Sequence, residues 1–82
     1  MNRKHDVFRF RVEADSQHPL FVVIEPSGMV IELDEGDHVT VELPAAPGIM
    51  ETVITHSPER LTISEPGGTP AKVWDSSGKQ VW

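Results

Sequence analysis

An all-β fold, a small antiparallel β-sandwich or partly open barrel assembled as a meander of hairpins, is what this sequence predicts. Three observations lead there. Short apolar stretches alternate residue by residue, no stretch holds apolar side chains at helical spacing over three turns, and Pro or Gly interrupts the pattern roughly every eight to twelve residues. That punctuation leaves room for roughly seven or eight short strands. The 82 residues form a single all-β domain, 1–82, in which residues 1–6 are expected to be a flexible lead. A chain this short buries only about 60% of its unfolded surface, so stability of a few kcal/mol is expected.

Residues 7 to 14, VFRFRVEA, place Phe8, Phe10, Val12 and Ala14 on one side and Arg9, Arg11 and Glu13 on the other, a half-buried strand. A polar break follows at Asp15 to Pro19. The run Leu20 to Ile24 is apolar throughout and reads as a strand covered on both faces. Glu25-Pro26-Ser27-Gly28-Met29 has the composition of a bulged hairpin turn, which pairs Glu25 with Met29 and Val23 with Ile31. The stretch MVIELDEGDHVTVEL, 29 to 43, carries the tightest pattern. A type I turn through Leu33-Asp34-Glu35-Gly36-Asp37, with Gly36 left-handed, pairs Ile31 with Val39 and Met29 with Val41, and gathers six apolar side chains on one face. In that register Phe21 and Val23 join the same face. Leu20, Val22 and Ile24 are left on the other, awaiting a cover.

Leu43 to Gly48 holds two prolines and reads as a surface crossing. Residues 50 to 56 and 60 to 65 make a strand pair around the turn Ser57-Pro58-Glu59-Arg60. With Ser57 opposite Arg60, Ile54 and His56 share a face with Leu61 and Ile63. A second loop runs from Glu65 to Pro70. The chain closes on a hairpin turning at Asp75-Ser76-Ser77-Gly78, which pairs Asp75 with Lys79, Trp74 with Gln80 and Val73 with Val81. Trp74 and Trp82 then share a face as diagonal neighbours; the core is their expected place, with stacking on a planar ligand as the other use.

The chemistry-bearing residues are sparse. Cysteine is absent, which removes disulfides, thiolate nucleophiles and thiolate metal sites. Seven Lys and Arg against thirteen Asp and Glu give a net charge of -6, which opposes binding to nucleic acid or to anionic membranes. No run approaches the roughly 18 apolar residues of a membrane span, and the start lacks the apolar segment of a signal peptide, so a cytoplasmic location is expected. Arg3, Lys4, Arg9 and Arg11 concentrate at the start, where they should lie against the acidic body of this chain or of a second copy. His5, His18, His38 and His56 show no metal-ligand spacing; His38, set opposite Glu32 by the hairpin register, is the one candidate pair for a cation, and surface ion pairing explains it as well. Asp34, Glu35 and Asp37 fit the turn better than a calcium loop. No nucleophile elbow or phosphate cradle is present, so neither catalysis nor a cofactor is expected.

These features predict a non-catalytic β module that binds another protein or itself, through a free strand edge or through the face formed by Leu20, Val22 and Ile24. An acidic inhibitor or immunity-like protein masking a basic partner is the second possibility. A metal or small-ligand carrier is the third.

Overall fold

The computed structural model describes residues 7–44, 52–65 and 70–82. Seven strands make up these residues: β1 (Val7–Glu13), β2 (Leu20–Glu25), β3 (Met29–Leu33), β4 (His38–Pro44), β5 (Ile54–Ser57), β6 (Arg60–Ser64) and β7 (Lys72–Trp74). The all-β prediction holds, with a three-stranded sheet in the order β1-β4-β7 and a four-stranded sheet in the order β3-β2-β6-β5. The expected flexible lead at 1–6, the part of the Leu43 to Gly48 crossing beyond Pro44 and the loop residues 66–69 lie outside the described residues; Leu43 and Pro44 themselves belong to β4, where Leu43 is a core residue and Pro44 ends the strand.

The two sheets share one core. Val22, Ile24 and Ile63 from the larger sheet meet Val39, Val41, Leu43 and Val73 from the smaller, each at most 1% exposed. Every such side chain contributes about 1.5–3 kcal/mol on leaving water, which in a chain without disulfides is what holds the sheets together.

The predicted hairpin at 29–43 is not formed. β3 pairs with β2, and β4 pairs with β1 and β7, so residues 34–37 form an arch that carries the chain from one sheet to the other. The apolar alternation survives this change: Leu33 on β3 and Val39, Val41 and Leu43 on β4 are buried, but they belong to facing sheets rather than adjacent strands. A period of two specifies which face is apolar and is silent about which strand lies alongside. The turn differs too. The Asp37 amide donates to the Asp34 carbonyl at 3.0 Å, with Gly36, at φ +76°, in the third position. The Gly36 amide is thereby free to donate to the Asp15 carbonyl at 2.8 Å, tying the arch to the β1–β2 connection. A β-branched residue at that φ costs about 1–2 kcal/mol. Gly36→Val is therefore expected to lower the melting temperature although no atom crowds the position, and Gly36→Asn should recover part of the loss in the same thermal melt.

β2 and β3 do form a hairpin, in a register one residue from the bulged one. Ile24 pairs with Met29, Val22 with Ile31 and Leu20 with Leu33, and the Gly28 amide closes the loop on the Ile24 carbonyl at 2.8 Å. The expected open face is thereby corrected. Leu20, Val22 and Ile24 turn to the core together with Met29, Ile31 and Leu33, while Phe21 and Val30, 39% and 58% exposed, turn out. β2 is also a central strand, paired on its other side with β6 in parallel, Val22 beside Leu61 and Ile24 beside Ile63. This parallel pair departs from the purely antiparallel meander, and the cover expected on both faces of Leu20 to Ile24 is complete only towards the core, since on the outer face Val23 is buried but Phe21 stays exposed.

Elsewhere local turn chemistry sets the register as read. Ser57 pairs with Arg60 and His56 with Leu61, and at the C-terminus the Asp75 amide donates to the Lys79 carbonyl while Trp74 bridges Gln80. The Asp75 carboxylate accepts from the Ser77 hydroxyl, the Lys79 amide and the Ser77 amide, and these bonds, the hydroxyl's foremost, hold its pKa below the ordinary aspartate value. Past Gln80 the ladder bulges. The amides of Val81 and Trp82 both donate to Val73, which moves Trp82 out of the position that would set it beside Trp74.

Candidate functional site

The site is assembled on the open side of the sandwich, where β1 ends the smaller sheet and β5 ends the larger one. Phe10 on β1 and Leu20, Leu61 and Ile54 on the opposite sheet leave a groove of about 450 Å³ between the two edges. Its rim is polar, with His18 on the β1–β2 connection and His56 on β5. The connection is fixed by its own hydrogen bonds. Asp15 accepts from the amides of Gln17 and His18 at 2.7 and 2.8 Å and meets the His18 imidazole Nδ1 at 3.1 Å. The Gln17 amide above all, followed by the His18 ring, keeps the exposed Asp15 carboxyl below the ordinary aspartate range. Two of the four histidines thus meet one groove, which sequence spacing did not reveal.

β5 supplies the distinctive wall. All four of its residues are exposed, and on its outer side no described strand is paired to it. The Ser64 amide donates to the Val53 carbonyl at 3.0 Å, so by the alternation of an antiparallel ladder Val53, Thr55 and Ser57 bond inward to β6. Ile54 and His56 then turn their N–H and C=O groups to the free edge. Their side chains line the groove as well, so the same two residues offer both a backbone edge that no described strand pairs and an apolar recess beside it.

The other edges are protected. β1 carries Arg9, Arg11 and Glu13, β3 carries Glu32, and the short β7 carries Lys72 and is backed by Val81 and Trp82. Charges and prolines are the usual guards against unwanted strand pairing. β5, Ile54-Thr55-His56-Ser57, has neither.

The remaining candidate residues are scattered. Glu32 is on β3 and His38 on β4, in different sheets, so the cross-strand pair expected of them does not exist; His38 faces Glu13 instead. Among the described residues no three His, Asp or Glu side chains come together to hold a metal ion. Trp74 and Trp82 are both outside the core, a correction to the expected burial. Trp74 is half-buried on the outer face of the smaller sheet under the Arg9 guanidinium, 4.7 Å from the ring centroid, and Arg9 also reaches Glu42 at 3.4 Å. Trp82 is 45% exposed. Phe8 and Phe10, at 5.4 Å, are the aromatic pair among the described residues.

At the far end of the sandwich Glu65, 8% exposed, has a structural task. One carboxylate oxygen accepts from the Ser27 amide at 3.0 Å and the Ser27 hydroxyl at 2.5 Å, and the other from the Ala71 amide at 2.5 Å. It joins the β2–β3 turn, the end of β6 and the approach to β7. Burial alone would raise its pKa, but the bonds from Ser27 and Ala71 outweigh that and hold it below the ordinary glutamate value.

Sequence reasoning found β5 as a strand and missed its position. The one signal available was the uncharged, β-branched run from Thr52 to Ser57. No protein family matches this chain, and comparisons with curated proteins and with solved structures return no match.

Proposed function

We propose that this chain is a non-catalytic β-sandwich module that binds an extended segment of polypeptide by strand addition along β5. The observation that carries the reading is the unguarded β5 edge, whose outward backbone groups at Ile54 and His56 flank an apolar groove lined by the same side chains. Main-chain hydrogen bonds would supply affinity, and the recess beside Phe10 and Leu20 would select apolar side chains at alternate positions of the ligand. Such binding depends little on salt, whereas masking of a basic partner by the net charge of -6 would weaken steeply as salt rises.

A displayed library of random linear peptides, panned on the wild-type chain, tests this. Enriched sequences are expected to alternate apolar and polar residues and to keep their affinity at high salt. His56→Pro removes an N–H that points away from β6, a change that edge strands tolerate, and should weaken the selected peptides by on the order of tenfold or more. Equal binding to wild type and to a folded His56→Pro variant would sink the proposal.

A further inference from the structure

Resting on that reading of β5 as a strand acceptor, we infer that one partner is a second copy of the chain, docked β5 against β5 about a twofold axis at Thr55. The register follows from which groups point outward. An axis through Thr55 sets Ile54 of one copy opposite His56 of the other, and both residues present N–H and C=O to the free edge, so each pair exchanges two hydrogen bonds and the twofold doubles them. Pairing of Val53 with Ser57 completes the strand on both sides and stops short of Pro58. An axis moved to His56 would set Ile54 opposite Pro58, which has no N–H to give.

The side chains agree with this register on both faces. On the outer face Thr55 already neighbours Thr62, and Thr62 neighbours Val23, which neighbours Val30. Docking Thr55 on its symmetry mate extends this row of β-branched side chains unbroken across an eight-stranded sheet, and threonine pairs are favourable cross-strand neighbours. On the inner face Ile54, 48% exposed in the single chain, would lie beside the partner's His56 over the apolar groove. Nothing charged enters the contact between the paired residues 53–57. The two copies nevertheless repel through a net charge of -6 each, so added salt should strengthen the dimer, the reverse of an association made by charge pairing.

Because the chain has no cysteine, one substitution gives a direct test. Facing residues of a non-hydrogen-bonded antiparallel pair have Cα atoms about 4.5 Å apart, within disulfide reach. Thr55→Cys is expected to form a disulfide-linked dimer under mild oxidation on the order of tenfold faster than Ser57→Cys, whose thiols would lie well apart along the ladder. The double variant Thr55→Cys, His56→Pro should fall back to the Ser57→Cys rate, with a thermal melt confirming that it folds. Sedimentation of the wild type should show a dimer fraction that rises with salt. Linking of Thr55→Cys no faster than Ser57→Cys would overturn the self-pairing. If the wild type still captures peptides that His56→Pro does not, only the identity of the partner is overturned; if peptide capture also fails, the strand-acceptor reading falls with it.

Discussion

Replacing Glu65 with alanine is expected to lower the melting temperature by roughly 10–20 °C. The Ser27 amide and hydroxyl and the Ala71 amide would lose their acceptor at a point almost closed to water. Hydrogen bonds to a charged group contribute about 1.5–3 kcal/mol each, and a net loss of about 2–4 kcal/mol after partial rehydration corresponds to that shift in a domain of this size. Glu65→Gln should fall between, since its amide nitrogen must face either Ser27 or Ala71, donor against donor. The pH dependence has a definite sign. Because the folded pKa of Glu65 lies below its unfolded value, the unfolded chain binds more protons in acid, so this stabilisation is complete above the ordinary glutamate range and is lost as pH falls through the folded pKa. Denaturant melts between neutral pH and mild acid should show a shallower decline for Glu65→Gln than for wild type. An equal decline in both would remove Glu65 as a source of acid sensitivity.

Ile24→Ala is expected to cost about 2–5 kcal/mol, while Val30→Ala should stay within about 0.5 kcal/mol of wild type. Ile24 is fully enclosed, paired with Met29 on one side and Ile63 on the other, whereas Val30 is 58% exposed on the outer face. The contrast separates the two registers of the β2–β3 hairpin. In the bulged register Ile24 would leave the face shared by Met29 and Ile31, and its truncation would be mild. Urea titration of both variants measures the difference; comparable midpoints would contradict the observed pairing.

How far the sequence could be read depended on whether the information was local. The turns at Ser57 to Arg60 and Asp75 to Gly78 carry their own geometry, through Pro58 in one and through Gly78, at φ +88°, in the other, and both registers follow from them. The alternation in β1 and β4 was equally legible, and it placed Val12, Val39, Val41 and Leu43 inside. What alternation cannot convey is adjacency. Leu33 and Val39 are buried whether their strands lie side by side or face each other, and the acidic turn between them accommodates both. The β2–β3 loop misled for a different reason: Glu25 to Gly28 can close with or without a bulge, and a single residue decides whether Ile24 or Val23 points inward. The candidate site inherited this gap, since β5 is distinctive only once it is known to end a sheet.

The parallel pairing of β2 with β6 also governs when, during synthesis, the chain can become a protein. The β2–β3 hairpin leaves the ribosome early with half of its larger sheet missing, because the neighbour of Leu20 to Ile24 is encoded after β5. β1 likewise waits for β4, and β4 for β7. Until Ile63 has emerged the most apolar run of the sequence has no second edge, and until Val73 follows the sheet that faces it lacks its last strand. Distant pairings of this kind slow folding towards the millisecond-to-second range, and an exposed apolar strand is a template for misassembly meanwhile. Truncation before Lys72 would therefore remove β7, one wall of the core, and the chain is most open to misassembly in the interval before β6 is made.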